Sequence, residues 1–420
     1  MKHERAGYFV KRRASSATNE PTTSNPVDRP MLVTSQALVL PLIKAANDPT
    51  ITQLGAAVPD HRFFPIRAIQ RAQSNAARNH LADAINCSFP PGLPALRRQI
   101  TRRMTEFGCA ILPNEIVITN GCQEALTLAL KAPTNPGDIV AIESPTFYGL
   151  LQVLESLGLE VLELPTNPRT GISVDALELA LTNWDVKACV VVPNFSNPLG
   201  FCMPDENKQQ LVDKLASHQI PLIEDDVYGD LGFGGKRPSA CKGLAGNRNA
   251  NHDIYYRGSF SKTLSPGLRV GWIVPPRKQH KKIEYMKYVL NLGTPTTSQM
   301  IVADLLSNGS YQRQLRQVCQ KYSVAVNRMT QAIVRYFPAE TKITRPEGGF
   351  VIWLELPVHI DSISLARDAL KLGISISPGP IFSASQKYQH YIRISCACVW
   401  SAEIEQAIVT LARLIDLPNK

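Results

Sequence analysis

Short, fully apolar runs alternate with segments of helical spacing from about residue 93 onward, and this alternation restricts the possible folds more than any other feature. Residues 139–143, 186–192 and 220–225 are such runs, and each opens into a polar, turn-rich loop. Strands that are apolar on both faces are typical of parallel sheets covered by helices. The sequence therefore predicts an α/β fold with a mainly parallel central sheet covered by helices.

The last hundred residues have a different pattern. A long amphipathic helix is predicted at 311–337, and strands at 348–355 and 391–395 flank another helix, which indicates a smaller α+β domain. The predicted parts are a basic tail with a flexible linker at 1–30, an N-terminal segment joining the small domain at 31–85, a large domain at 86–305, and the small C-terminal domain at 306–420.

Composition excludes several classes of protein. Hydrophobic residues make up 44% and charged residues 19% of the 420, as in an ordinary globular protein, with a formal net charge of +10. The nine cysteines include no Cys-x-x-Cys pair and the eight histidines have no ligand spacing, so we expect neither a metal site nor a disulfide framework. No signal peptide or membrane span is evident, which predicts a cytoplasmic protein with no membrane partner.

The segment 259–272 contains one lysine, Lys262, together with four hydroxyl side chains and Arg269. A lysine that forms an imine with an aldehyde must lie where its amine can lose its charge. Ser259 and Arg269 suit a phosphate, because hydroxyl donors and a forked guanidinium match its oxygens. An aldehyde that carries a phosphate is pyridoxal 5′-phosphate (PLP). By itself the segment is also compatible with a basic surface loop.

Five further segments carry polar or aromatic residues at the ends of predicted strands, where the chemistry of parallel sheets gathers. Residues 119–124 form a turn that opens a helix and could hold a phosphate. Residues 143–148 present an aromatic ring, 193–200 side-chain amides, and 224–228 a carboxylate and a phenol. Arg393 lies in an apolar strand, where a buried guanidinium needs a carboxylate partner.

In this order and with these spacings, the segments resemble the fold-type I PLP-dependent aminotransferases over roughly residues 50 to 415. Within that family the chain most resembles the aminotransferase-like domain of MocR-type regulators, which also carry a winged helix-turn-helix of the GntR kind. The resemblance implies the PLP-dependent transferase fold, PLP as cofactor, an amino acid and a 2-oxo acid as substrates, and a homodimer.

The resemblance also implies a role for each matching residue. Lys262 forms the internal aldimine and moves a proton between substrate and cofactor, and Asp225 pairs with the pyridine nitrogen. Asn197 and Tyr228 hydrogen-bond the cofactor's phenolic oxygen. Arg393, with Asn197, binds the substrate α-carboxylate. The residues implied to hold the phosphate are Gly121, Cys122, Gln123, Ser259 and Arg269.

Phe147 is implied to stack on the cofactor ring, and Tyr148 is a competing choice for that position. Two residues depart from the family pattern. Cys87 stands where a tyrosine usually reaches the phosphate of the neighbouring subunit, which puts one contact across the dimer in doubt. Cys122 stands where a serine or threonine is usual, and a thiol donates weakly, so the phosphate would rely more on backbone amides.

The N-terminus leaves two hypotheses open. Residues 6–10, the basic residues 11–13 and the linker resemble the end of a DNA-binding wing, so the chain looks like a regulator without its helix-turn-helix or with a start assigned too late. A disordered basic tail on a free enzyme is the alternative. We therefore expect either a working aminotransferase or a PLP-binding sensor with little turnover, and no DNA binding by this chain alone.

Overall fold

The structure is a computed structural model that describes residues 19–34, 36–246 and 252–416; the predicted wing at residues 6–10 lies outside them. Within these ranges no helix has the length and apolar character needed to cross a bilayer. The strands are β1 (Met31–Leu32), β2 (Thr52–Gln53), β3 (Val117–Asn120), β4 (Ile139–Ser144), β5 (Glu160–Asn167), β6 (Gly171–Ile172), β7 (Val186–Val191), β8 (Leu222–Asp225), β9 (Ile254–Ser259), β10 (Val270–Val274), β11 (Lys342–Ile343), β12 (Val351–Glu355), β13 (Ile374–Ser375), β14 (Ser377–Pro378) and β15 (Tyr391–Ser395).

Helices separate most of these strands. They are α1 (Gln36–Ala46), α2 (Ile66–Asn79), α3 (Leu81–Ile85), α4 (Pro94–Glu106), α5 (Cys122–Lys131), α6 (Tyr148–Ser156), α7 (Val174–Asn183), α8 (Asp205–Ser217), α9 (Cys241–Ala245), α10 (His280–Asn291), α11 (Thr296–Ser307), α12 (Ser310–Tyr336), α13 (Ser362–Lys371) and α14 (Ala402–Asp416). The predicted elements are found within a few residues of their predicted bounds.

The large sheet has the strand order β1-β5-β4-β7-β8-β9-β10-β3, with β6 paired to β5. The pairs β5–β4, β4–β7, β7–β8 and β8–β9 are parallel, whereas β10 runs antiparallel to both of its neighbours. Ala141 of β4 packs into one core, and its neighbours Val140 and Ile142 pack into the core on the opposite face. The predicted α/β fold with a helix-covered sheet is confirmed, and the sheet is mixed at its edges.

A second sheet forms the core of the small domain. Its strands have the order β11-β12-β15-β14 and are antiparallel throughout. Apolar residues of α12, α13 and α14 pack with this sheet in one buried cluster. Strand β2 pairs in parallel with β13, so the segment after α1 joins the small domain through its backbone.

The described part of the predicted linker makes contacts with both domains. Ser24 donates its backbone N–H to Thr166 of the large sheet at 3.2 Å, and Glu20 pairs with Arg169. The carbonyl of Asn19 accepts the N–H of Ile343 in the small domain at 3.0 Å. The polar composition indicated a flexible linker, but in the described residues its backbone groups form hydrogen bonds with both the large and the small domain.

A buried ion network ties the large domain to the first turn of α12. The carboxylate of Asp230 accepts hydrogen bonds from Arg103 of α4 at 2.8 Å, from Arg237 at 2.6 Å and from the Tyr311 hydroxyl of α12 at 2.8 Å. Burial opposes ionisation, but the two guanidinium groups outweigh it and lower the pKa of Asp230. The carboxylate therefore stays charged between two cations.

We expect Asp230→Asn to lower the free energy of unfolding by about 3–5 kcal/mol, because it leaves the buried Arg103 without its counter-ion and removes one of the two carboxylates paired with Arg237. Urea denaturation at neutral pH measures the change. The matched control is Asp185→Asn, whose carboxylate forms an exposed pair with Lys187 and should have no measurable effect. Equal stability of the two variants would contradict this account of the network.

Candidate active site

Lys262 lies in the loop between β9 and β10, at the carboxyl end of the parallel strands. Its Nζ donates a hydrogen bond to the carbonyl of Ala57 at 2.7 Å, and the Tyr322 hydroxyl donates to the carbonyl of Lys262 at 3.0 Å. Burial lowers the pKa of the lysine to about 8. The neutral fraction of the amine at physiological pH is therefore much larger than for an ordinary lysine, which favours its use as a nucleophile.

Asp225 ends β8 and is buried. Its Oδ2 accepts from Arg257 of β9, the residue in register with it on the neighbouring strand. Its Oδ1 is buried without a hydrogen-bond partner. Burial raises the pKa of Asp225, and the Arg257 guanidinium acts in the opposite direction. The free oxygen is suited to accept a hydrogen bond from a nitrogen that carries a proton.

Asn197 and Tyr228 are both buried, and Tyr228 lies close enough to Asp225 to feel its charge. The Oδ1 of Asn197 has no hydrogen-bond partner. The ring of Tyr228 packs against Phe350 of the small domain with centroids 5.7 Å apart, and burial raises the pKa of its phenol. Both side chains can therefore offer polar groups to a ligand, and the phenol remains a donor at neutral pH.

The start of α5 forms a concave backbone turn. Gly121 has φ = 80°, and a Cβ there would lie 2.7 Å from the guanidinium of Arg269. Arg269 itself adopts φ = 52°, a strained value for a residue with a side chain, and its Nη2 donates to the carbonyl of Asn120 at 2.9 Å. Strand β9 ends beside this turn at the buried Ser259. Free N–H groups of a helix start, a guanidinium and a hydroxyl together suit a phosphate.

Cys122 and Gln123 are the first two residues of α5. The carbonyl of Cys122 accepts from Arg257 Nη1 at 2.8 Å, and the side-chain amide of Gln123 donates to the carbonyl of Gly149 at 2.8 Å. The side chain of Gln123 is therefore engaged with α6, and its backbone N–H is the group that faces a ligand at the helix start.

Phe147 and Tyr148 lie at the start of α6 with ring centroids 4.8 Å apart. The Phe147 ring packs close to Gly149, where an added Cβ would overlap it. Tyr148 instead lies near the guanidinium of Arg393, on which it acts electrostatically. The two rings thus differ in surroundings: Tyr148 packs against Phe382 of the small domain, whereas Phe147 packs beside Gly149.

Arg393 is fully buried on β15 of the small domain. Its Nη2 donates to the carbonyl of Gly55 and to Ser377 Oγ, the latter at 2.8 Å, while Nε and Nη1 have no hydrogen-bond partner. Burial lowers the pKa of this guanidinium. A buried guanidinium that keeps unpaired N–H groups is suited to bind a carboxylate.

Three groups at this site were not predicted from the sequence. The backbone carbonyls of Gly55 and Ala57 hold Arg393 and Lys262, and the side chain of Arg257 holds Asp225. Carbonyls carry no residue-type signature. Arg257 did have one: it is a cation inside the apolar run of residues 254–259, next to the lysine motif.

Comparison with known proteins agrees with this geometry. Residues 49–411 match the family of class I and II aminotransferases. The chain belongs to that family. It is 38% identical over 411 residues to YjiR, an uncharacterized HTH-type transcriptional regulator of Escherichia coli (strain K12), covering 98% of this chain and 86% of that protein.

Two solved structures are similar over nearly the whole chain. The α-aminoadipate aminotransferase LysN of Thermus thermophilus, complexed with N-(5′-phosphopyridoxyl)-L-leucine, is 30% identical, with a TM-score of 0.83 and coverage of 91% of this chain and 95% of that one. The kynurenine aminotransferase of Pyrococcus horikoshii is 28% identical, with a TM-score of 0.82 and coverage of 90% and 93%. Both confirm the predicted aminotransferase fold.

The family implies PLP as cofactor, and the residues present fit it. Lys262, whose pKa is lowered, interacts electrostatically with Asp225, and Asp225 and Asn197 each keep a buried oxygen without a hydrogen-bond partner. The guanidinium of Arg269 packs so closely on the turn at Gly121 that any side chain there would displace it. An unpartnered buried polar group is costly unless a ligand pairs with it, so these groups favour a polar aromatic cofactor.

The lowered pKa of Lys262 predicts how attachment of PLP depends on pH. Only the neutral amine attacks an aldehyde, so the rate of covalent attachment to cofactor-free protein should rise with pH and level off above about 8. Stopped-flow absorbance measures it. Free Nα-acetyl-lysine is the control, since its rate should keep rising towards its own pKa of about 10.4. A protein rate that still rises steeply between pH 9 and 10 would contradict the lowered pKa.

Proposed function

We propose that this chain is a PLP-dependent aminotransferase that moves an amino group between an amino acid and a 2-oxo acid. The observation that carries the proposal is that a buried lysine of lowered pKa lies close enough to Arg393 to feel its charge, while Arg393 keeps unpaired N–H groups. The first suits covalent attachment of an aldehyde cofactor, and the second suits an α-carboxylate. Bound there, PLP supplies an electron sink for charge developing on the substrate α-carbon.

The residues of the chain would divide the remaining work. Lys262 would hold the cofactor through Nζ, and its amine, when free and neutral, would be the group that accepts the proton from the substrate α-carbon. Asp225 holds the ring nitrogen, Asn197 and Tyr228 hold the phenolic oxygen, and Phe147 packs on the ring. The phosphate would be held by Gly121, Cys122, Gln123, Ser259 and Arg269.

Lys262→Ala tests the covalent role. We expect no borohydride-trapped PLP and a fall in transamination rate of at least about 10²-fold, because both the attachment point and the proton acceptor are lost. Purified protein, a panel of amino acids and 2-oxoglutarate provide the assay, with oxo-acid release as readout. Lys278→Ala, which removes an exposed lysine, is the control. Full activity in the Lys262 variant would sink the proposal.

Arg393→Lys tests substrate binding. A lysine keeps the charge but loses the fork, so we expect KM for the amino acid to rise about 10- to 100-fold while the affinity for PLP is unchanged. Steady-state kinetics and a PLP titration separate the two effects. Arg367→Lys, at an exposed position of α13, should behave like the wild type. An unchanged KM in the Arg393 variant would remove this residue from the substrate site.

A homodimer is the expected assembly, and an exposed apolar surface supports it. Phe89 and Tyr288 have ring centroids 6.1 Å apart, so α10 lies beside the loop after α3. The large apolar side chains exposed here are Leu81, Ile85, Phe89, Tyr285, Tyr288, Val289 and Leu292. Exposed large apolar side chains in such numbers are typical of an interface. Cys87, also exposed, lies in the same stretch, where its short side chain would make less contact than the usual tyrosine.

Ile85→Asp should convert a dimer into a monomer, because it buries a charge at the interface. Sedimentation velocity at micromolar concentration reports the change. The control is Val358→Asp, which alters an exposed apolar residue between β12 and α13 and should leave the assembly intact. A wild-type protein that sediments as a monomer would refute the interface.

The second candidate function is a PLP-binding sensor of the MocR type. The similarity to the regulator YjiR over 98% of this chain favours it. A sensor would bind an amino acid at the same pocket and change its absorbance without releasing an oxo acid, so the assay above separates the two. The cytoplasmic location and the lack of DNA binding by this chain alone stay predictions from the sequence.

A further inference from the structure

Arg257 is a fully buried cation within an otherwise uncharged strand. It lies on β9 in register with Asp225 on the parallel strand β8, so both side chains project from the same face of the sheet. Burying a guanidinium is costly unless its donors and its charge are matched. The hydrogen-bond partners of Arg257 therefore indicate its role.

Those contacts are few and specific. One terminal nitrogen of Arg257, Nη2, donates to Asp225 Oδ2, and the other, Nη1, donates to the Cys122 carbonyl at 2.8 Å. Nε has no hydrogen-bond partner. The guanidinium thus joins the carboxylate at the end of β8 to the first residue of α5. Asp225 keeps its second oxygen, Oδ1, buried and unpartnered.

We propose that Arg257 is a positioning residue for Asp225: it holds one carboxylate oxygen and leaves the other to pair with the ring nitrogen of the cofactor. The inference rests on the proposed function, since it needs PLP at this site. It also joins the ring-nitrogen anchor to the phosphate end of the pocket, because the same guanidinium holds the backbone at Cys122.

The charges around Asp225 give this contact a measurable consequence. Besides Arg257, the titratable groups that face it are Asp226, Glu143, Tyr228 and Lys262. Three of them are acidic, and Lys262 ceases to be a free cation once it binds an aldehyde. Arg257 is therefore the permanent positive charge of this set. A positive charge beside an acid–base pair weakens its hold on a shared proton. The pair formed by Asp225 and the ring nitrogen should lose its proton at a lower pH with Arg257 than without it.

The experiment uses holoprotein loaded with PLP labelled with ¹⁵N in the ring. The ¹⁵N chemical shift, followed from pH 5 to 10, reports the pH at which the nitrogen loses its proton. Arg257→Met and Arg257→Gln remove the charge, and both should raise that midpoint by about 1–3 pH units. Arg257→Lys keeps the charge and should restore the wild-type midpoint. Two neutral variants of different polarity are used because one of them could fail to fold.

A merely structural arginine would give another pattern. Its replacement would lower the melting temperature and leave the ¹⁵N midpoint unchanged in every folded variant, and that result would overturn the proposal. Failure of the wild type to attach PLP at Lys262, tested by borohydride trapping, would instead refute the proposed function.

Discussion

Burying acidic side chains at the end of strand β8 is the constraint on which the rest of this structure depends. Glu224, Asp225, Asp226 and Asp230 follow one another there, all buried or nearly so, and each needs donors brought from elsewhere. Glu224 takes the backbone N–H groups that open α9, while Asp226 and Asp230 share Arg237. Of the four, only Asp225 keeps an oxygen without a donor. Because the other three carboxylates are fully hydrogen-bonded, the free oxygen of Asp225 is the one acceptor of this group that a ligand can use.

The short stretch from Gly55 to Ala57 connects the two cations of the pocket. The carbonyl of Gly55 accepts from Arg393 of the small domain, and that of Ala57 accepts from Lys262 of the large one. Arg393 still has two free donors, so a carboxylate can bind without displacing Gly55. Lys262 must leave Ala57 when its amine reacts with an aldehyde. Occupation of the pocket thus changes a contact between this stretch and the large domain, which links cofactor binding to the position of the N-terminal segment.

The sequence predicted the groups whose chemistry depends on residue type. Lys262, Asp225 and Arg393 each lie in or beside an apolar strand, where a buried charge is costly unless it has a partner. The order of the parallel strands brings the ends of β8 and β9 together. It did not predict that β10 runs antiparallel, since a short apolar strand reads the same in either direction. Nor did it predict the carbonyl partners at Gly55 and Ala57, because any residue can supply a carbonyl. Arg257 was overlooked although it met the criterion applied to Arg393.

The protonation of Lys262 bears on whether this chain is a catalyst or a sensor. Burial already lowers the pKa of the Lys262 amine to about 8, and Tyr322 holds the backbone of this residue through a hydrogen bond. A released neutral amine at that position can take a proton from any substrate carbon held by Arg393. The groups needed for amino transfer are thus present in the chain. A sensor built on this pocket would have to suppress proton transfer by the geometry of its bound ligand, because it would not lack the base.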